Sequence, residues 1–331
     1  MSSQVPDRGA VSLRGESSMA PLRFCANVSW LFTELPDLRQ RLHAAAAAGF
    51  RAVEAAWPYD SDPLELQRAR QAAGVEVVLL NTPPGDVKAG ELGLGAVPGR
   101  EADFRQGLDL ALTYARALDC KRIHLMAGRL PAGAHRPAVA KEMEAIFVQN
   151  LTYAADVLAK EGITGLIEPI NTRLTDPRYF LDSPHQAAAI LERVGRPNIR
   201  LQMDVFHWQI MDGNLTQNIH KYFPLIGHIQ VAQVPGRNEP DSPGELNFPY
   251  LFGLLEELQY QGYIGCEYKP RGMKEPPPVF LLCKEENPRE RGPAGRWSEP
   301  SSSDGRRKAE EPFFFFFFFF AVSCDSLTRR R

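Results

Sequence analysis

Long apolar runs are missing from this 331-residue chain. No stretch approaches the roughly 20 consecutive apolar residues that a membrane-spanning helix needs. Residues 1–20 lack the apolar segment of a secretory signal peptide. Cysteine is scarce as well, with five residues and no Cys-x-x-Cys pair, which is typical of free thiols in a reducing compartment. We therefore expect a cytoplasmic protein without membrane attachment.

An excess of one charge is also missing, because 38 basic residues face 40 acidic ones for a net charge of −2. A nucleic-acid-binding surface usually needs a strongly basic balance, so no nucleic-acid partner is expected. The sequence contains no G-x-S-x-G, no P-loop and no H-E-x-x-H motif. Gly90, Gly93 and Gly95 are in the wrong order and position for a dinucleotide fingerprint. No nucleotide cofactor is therefore expected.

A regular alternation of apolar runs and amphipathic stretches begins at residue 21. Such alternation is typical of βαβ units with a parallel sheet, and eight repeats predict an α/β fold of the (β/α)₈ TIM-barrel type. The predicted strands are Arg23–Val28, Ala52–Trp57, Glu76–Asn81, Arg122–Ala127, Thr164–Asn171, Arg200–Val205, His228–Ala232 and Ile264–Tyr268. The predicted helices are Pro36–Ala48, Pro63–Ala73, Glu101–Leu118, Val139–Lys160, Pro184–Val194, Leu215–Phe223 and Pro249–Tyr260.

The two ends of the chain differ in character from the repeats. Residues 1–20 are polar and predict a disordered leader, and residues 21–272 form the predicted catalytic barrel. Residues 273–331 carry three consecutive prolines, a charged run and eight consecutive phenylalanines. No amphipathic period is visible there, so we expect a disordered, isoform-like tail and a barrel that lacks its regular eighth helix. That loss predicts lower stability, with a non-catalytic isoform as one alternative function.

Four consecutive predicted strands carry one polar residue each, at or near the strand's end: Glu168, Asp204, Gln230 and Glu267. In this fold, side chains at the C-terminal ends of the strands form the active site. A single such residue is equally well explained as a surface carboxylate or a hydrogen-bonded core residue. Three carboxylates together would repel one another unless a cation or shared protons lay between them. Oxygen-rich sets of this kind suit a divalent ion such as magnesium or manganese.

Three further residues are candidates for the same site. His207 follows Asp204 by three positions, and Arg237 lies in the predicted loop after strand seven, where a guanidinium could bind a substrate carboxylate. Alone, Arg237 would be read as a surface arginine. His124 either lines the opening of the same site or is a core histidine.

The motifs around these residues resemble the hydroxypyruvate isomerases, a group within the xylose-isomerase-like barrels. The resemblance covers roughly residues 19–272. It rests on residues 81–86, 124–128, 166–171, 202–209, 227–237 and 244–249.

The resemblance implies interconversion of hydroxypyruvate and 2-hydroxy-3-oxopropanoate, a small 2-keto or hydroxy acid, with Glu168 and Glu267 as the catalytic carboxylates. It also implies a metal set of Glu168, Asp204, Gln230 and Glu267, because related sugar epimerases hold a metal at these positions. Gln230 departs from the histidine of those epimerases, and an amide is a weaker ligand. A sugar or sugar-phosphate isomerase or epimerase is the alternative enzyme. A metal-dependent abasic-site nuclease is disfavoured by the lack of a histidine-rich cluster.

Overall fold

Eight parallel strands close into a barrel, in sequence order, with β1 paired to β8. The computed structural model describes residues 21–272. The strands are β1 (Arg23–Asn27), β2 (Ala52–Ala55), β3 (Glu76–Asn81), β4 (Arg122–His124), β5 (Thr164–Ile167), β6 (Ile199–Asp204), β7 (Ile226–Val231) and β8 (Tyr263–Cys266). The predicted TIM barrel is confirmed. The predicted leader and tail lie outside the described residues, as does the segment after β8 where the barrel was predicted to lack a regular helix.

Helices connect the strands on the outside of the barrel. They are α1 (Leu38–Ala47), α2 (Pro63–Ala73), α3 (Glu101–Leu118), α4 (Arg136–Ala159), α5 (Pro184–Val194), α6 (Val205–Met211), α7 (Leu215–Tyr222) and α8 (Phe248–Glu257). The predicted bounds of α2, α3 and α5 agree with the structure to the residue. Helix α6 was not predicted, because its seven residues read as the apolar end of a strand.

Local sequence explains where helices begin and end. Asp62 accepts hydrogen bonds from two backbone N–H groups of the first turn of α2, and Pro63 occupies its first position. Ser183 and Pro184 begin α5 in the same way. Both helices end at a glycine in the left-handed conformation, Gly74 and Gly195, where a side chain would be strained. These signals fix the register in which each following strand enters the barrel.

The core lies between the barrel's outer face and the helices, and includes the fully buried Leu108, Phe147 and Ile190. Polar side chains are concentrated inside the barrel, where Glu54, Gln202, Asp204, His228 and Gln230 are each 2% exposed or less. Burying that many polar groups is costly unless each is hydrogen-bonded. This concentration of buried polar groups indicates a functional site inside the barrel. Among residues 21–272, no helix is long and apolar enough to cross a membrane.

Candidate active site

A cavity of about 350 Å³ opens at the C-terminal ends of the strands. Its volume is near the lower end of the roughly 300–1,000 Å³ that small-molecule pockets occupy. Glu168, Gln230 and Glu267 line it, as do His207 and Arg237. Asp204 is fully buried beside it. His124 lines the cavity as well, so the structure brings all seven residues that the sequence singled out into one region.

Glu168 follows β5 and is almost entirely buried. Its Oε2 accepts a hydrogen bond from Gln202 Nε2 at 3.0 Å and lies 3.3 Å from His124 Nδ1. Its Oε1 lies 3.8 Å from His207 Nε2. Burial first, and then the negative charges of Glu267 and Asp204, raise the pKa of Glu168 well above its ordinary value. Such a carboxyl holds its proton to a higher pH than an exposed glutamate does and can serve as an acid.

Glu267 follows β8 and contacts a guanidinium directly. Arg237 donates to its Oε1 at 2.5 Å, and Asn27 Nδ2 donates to its Oε2 at 3.1 Å. Burial raises its pKa to about 8, and the nearby Arg237 opposes the rise. The direct contact with Arg237 favours the ionised form of Glu267, whereas Glu168 makes no hydrogen bond to an arginine within residues 21–272.

Arg237 has a left-handed backbone (φ 54°), which aims its side chain back across the barrel's end. It donates to Asp204 Oδ2 at 3.1 Å as well as to Glu267. The guanidinium also stacks over Trp30 and Phe206, with its central carbon 4.4 and 4.9 Å from the ring centroids. Asp204 in turn accepts from the backbone N–H of Phe206 and so begins α6. Arg237 thus holds two buried carboxylates together.

His207, on α6, is held as a neutral ring. The backbone N–H of Asn171 donates to its Nδ1 at 3.3 Å, so the proton of the neutral ring resides on Nε2. Burial, Arg237 and His124 lower its pKa well below the ordinary value. Its Nε2 lies 3.4 Å from Asp204 and 3.3 Å from Arg237 NH1. A neutral imidazole in this position can donate a hydrogen bond without carrying a charge.

His124 lines the cavity and is not a plain core histidine. It is 1% exposed, and burial lowers its pKa to about 3. Neither ring nitrogen has a hydrogen-bond partner among the described residues. Because an unsatisfied buried polar group costs roughly 1–3 kcal/mol, a bound ligand that supplied a partner would recover that cost.

The predicted metal set does not present four available oxygen atoms to one ion. Gln230 Oε1 accepts from Gln202 Nε2 at 2.7 Å, and Gln230 Nε2 donates to Glu54 at 2.8 Å. Asp204 Oδ2 and Glu267 Oε1 both contact the Arg237 guanidinium. A closer group of possible ligands is Glu168, Asp204 and His207, but His207 Nε2 carries the ring's proton. In this arrangement the Arg237 guanidinium lies between the carboxylates of Asp204 and Glu267.

Sequence reasoning missed four polar residues that complete the site. They are Asn27, Glu54, Asn171 and Gln202, all of them buried. Glu54 and Gln202 are polar residues inside apolar strands, which is the same signal that identified Glu168. Asn27 ends β1, and Asn171 ended the strand predicted as Thr164–Asn171, so both could have been found by applying the strand-end rule to every strand.

The structure and these side chains define a barrel enzyme with a cavity lined by buried polar groups at the C-terminal ends of its strands. The xylose isomerase-like TIM barrel model matches residues 42–288, and the chain belongs to that family.

The "Putative hydroxypyruvate isomerase" of Danio rerio is 70% identical over 257 residues, which is 78% of this chain and 93% of that protein. The "2-oxo-tetronate isomerase" of Cupriavidus necator is 47% identical over 249 residues, covering 75% and 93%. A solved structure, "AP endonuclease, family 2 from Brucella melitensis", has a TM-score of 0.71 at 47% identity and covers 76% of this chain and 94% of that one. The predicted family and isomerase class are confirmed, and this chain is an isomerase.

The raised pKa of Glu168 predicts a pH-dependent stability. The folded state keeps a proton that the unfolded chain releases above a pKa of about 4.3, so unfolding becomes easier as pH rises toward the folded-state pKa. His124 and His207, whose pKa values are lowered, act below about pH 6.5, where their protonation also favours unfolding. Between pH 6.5 and 8 we therefore expect the Tm of the wild type to fall relative to that of Glu168→Gln.

Thermal unfolding of both proteins across this range measures the effect. Each kcal/mol of unfolding free energy changes the Tm by about 2–4 °C in a domain of this size. If the Tm of the wild type and of Glu168→Gln changed in parallel with pH, Glu168 would have an ordinary pKa.

Proposed function

We propose that this isomerase interconverts hydroxypyruvate and 2-hydroxy-3-oxopropanoate, with Glu168 and Glu267 as the two proton-transferring groups. The observation that carries the proposal is that two buried carboxyl groups with raised pKa values line one small cavity. The names of the relatives support a small hydroxy-keto acid as substrate. The buried free thiols of Cys25 and Cys120 are compatible with a cytoplasmic location.

The reaction moves one carbon-bound proton from C3 of hydroxypyruvate to C2. A base removes the C3 proton, and the electron pair forms the C2–C3 double bond of an enediolate. An acid then protonates C2, and the hydroxyl proton passes from O3 to O2. Glu267 is the more readily ionised carboxyl and begins as the base, while Glu168 begins as the acid. In the reverse direction the roles are exchanged.

The remaining side chains bind and stabilise charge. The neutral His207 can donate from Nε2 to an enediolate oxygen, where developing charge makes the hydrogen bond stronger. Arg237 uses NH2 for Asp204 and Glu267. Its NH1 group lies 3.3 Å from His207 Nε2, and we assign NH1, beside the imidazole, to the substrate carboxylate. The unpartnered His124 offers a further ring nitrogen to the same ligand.

Proton exchange tests the proposal directly. The purified protein is incubated with hydroxypyruvate in D₂O, and NMR follows the aldehyde product and deuterium at C2 and C3. Product formation with exchange is expected, and neither would be seen if the substrate is wrong. The same assay with a four-carbon 2-oxo acid tests the second candidate, which the name of the Cupriavidus relative favours.

We further propose that proton transfer needs no divalent ion, because Arg237 already supplies the positive charge between Asp204 and Glu267. Chelator treatment is expected to leave turnover within about twofold, and calorimetry with magnesium or manganese to show weak binding. Gln230→His should tighten metal binding by adding an imidazole ligand. Loss of activity in chelator, restored by one of these ions, would contradict the proposal.

A further inference from the structure

Glu54 is a third carboxylate in the barrel, and no step of the proposed reaction uses it. It lies on β2 and is 1% exposed. Its Oε1 accepts from Asn27 Nδ2 at 2.9 Å and from Gln230 Nε2 at 2.8 Å, and its Oε2 lies 2.6 Å from His228 Nε2. Cys25 Sγ also lies 3.8 Å from Oε2. Glu54 is thus buried among hydrogen-bond donors, near Glu168 and Glu267.

Two arms of amide side chains connect Glu54 to the proposed catalytic pair. In the first arm, Asn27 Nδ2 donates both to Glu54 Oε1 and to Glu267 Oε2. In the second arm, Gln230 donates to Glu54 and accepts from Gln202 Nε2, which also donates to Glu168 Oε2. Each proposed catalytic glutamate is therefore held through its Oε2 atom by an amide whose orientation depends on Glu54.

The direction of every hydrogen bond in these arms follows from Glu54 being an acceptor only. Gln230 must turn its NH₂ group toward Glu54, so its oxygen faces Gln202. Gln202 must then turn its NH₂ group toward Gln230 and Glu168. Amide groups have no proton to pass on readily, so the arms orient the glutamates and do not conduct protons between them.

Gly265 on β8 provides the room that the Glu54 carboxylate needs. A Cβ atom at Gly265 on β8 would lie 2.5 Å from both carboxylate oxygens of Glu54. Cys25 and His228 are also near enough to form a metal site with Glu54. The direct 2.6 Å contact between His228 and Glu54 argues against an ion between them, because each ligand atom would lie about 2 Å from the metal.

We infer that Glu54 is a positioning residue for the isomerisation. Through Asn27 and through Gln230 with Gln202, it fixes the Oε2 atoms of Glu267 and Glu168. This inference rests on the proposed function of the two glutamates. The charge of Glu54 contributes to the raised pKa of Glu168, of Glu267 and of Asp204.

The groups that surround Glu54 come from most of the barrel. His228 and Cys25 contact it from β7 and β1. Other charged or titratable groups act on it or on its neighbours from further away: Arg122, His124, Glu168, Asp204, Arg237, Tyr260 and Glu267. Among residues 21–272, only Glu54 connects to both glutamates through hydrogen-bonded amides, so its replacement tests that connection apart from these other groups.

The test compares Glu54→Gln and Glu54→Asp with the wild type. Glu54→Gln removes the charge and allows the amides to turn, so we expect the carboxyl groups of Glu168 and Glu267 to titrate about one pH unit lower or more. Carbon-13 NMR of the glutamate side chains measures this without any substrate. With hydroxypyruvate, kcat should fall about tenfold or more, KM should change less, and the pH–rate profile should move to lower pH. Glu54→Asp keeps the charge and should restore part of the profile.

Asn150→Ala is the matched structural control, because Asn150 is also fully buried but hydrogen-bonds to Gly95 away from the cavity. It should lower the Tm without moving either titration. If Glu54→Gln lowers only the Tm and leaves titration and pH profile unchanged, Glu54 is merely structural and the inference is wrong. If the wild type does not turn over hydroxypyruvate, the proposed substrate fails, but the carbon-13 titration still decides the role of Glu54.

Discussion

Replacing Glu168 or Glu267 by glutamine is expected to reduce kcat for hydroxypyruvate by about 10²- to 10⁴-fold. Glutamine keeps the shape of the side chain and can still accept the hydrogen bonds from Gln202 or Asn27, but it cannot take up or release a proton. Both substitutions also remove a buried carboxyl group whose pKa is raised by burial. The variants should therefore fold at least as well as the wild type, so lost activity reports on chemistry.

Steady-state kinetics and exchange in D₂O together distinguish the two roles. If Glu267 begins as the base, Glu267→Gln should abolish exchange at C3 of hydroxypyruvate. Glu168→Gln should reduce product formation more than it reduces exchange at C3, because the C3 proton can still be removed. Glu257→Gln, an exposed residue of α8, is the matched control and should behave as the wild type. Near-normal turnover in either active-site variant would remove that glutamate from the mechanism.

The barrel could be predicted from the sequence because its repeats carry strong local signals. Asp62-Pro63 and Ser183-Pro184 mark helix starts, Gly74 and Gly195 mark helix ends, and the apolar runs between them have the length of buried strands. These signals are local, so they can be read without knowing which residues touch. Strand ends also placed Glu168, Asp204, Gln230 and Glu267 together, because the fold gathers them at one end.

The contacts inside the site could not be predicted in the same way. Glu54 and Gln202 are joined by Gln230, whose strand lies far along the chain from β2. The left-handed backbone at Arg237, unusual for a residue with a side chain, directs the guanidinium at Asp204 and Glu267. Neither feature has a local sequence signal, so the sequence suggested a metal where the structure places an arginine.

Replacing Arg237 should impair both catalysis and stability. Its guanidinium bridges Asp204 and Glu267 and stacks over Trp30 and Phe206. Arg237→Lys keeps one positive charge but cannot donate in two directions from a planar group or stack in the same way. We expect an increased KM for hydroxypyruvate, because the substrate carboxylate loses its partner, and a lower kcat, because Glu267 is no longer held.

Arg237→Met removes the charge and leaves two buried carboxyl groups without a counter-ion. Breaking a buried pair in this way costs about 3–5 kcal/mol, unless the carboxyl groups take up protons. Protonation at lower pH removes the repulsion between the carboxyl groups of Asp204 and Glu267. The loss of stability relative to the wild type should therefore be largest above pH 7 and shrink as the pH falls. Thermal unfolding from pH 5.5 to 8 and kinetics at each pH measure both effects. Arg116→Met, which removes an exposed arginine paired with Glu161, should change neither the stability nor the kinetics.

An unchanged KM in Arg237→Lys would show that Arg237 does not bind the substrate. A pH-independent stability loss in Arg237→Met would show that packing against Trp30 and Phe206, and not charge, is the main contribution of Arg237.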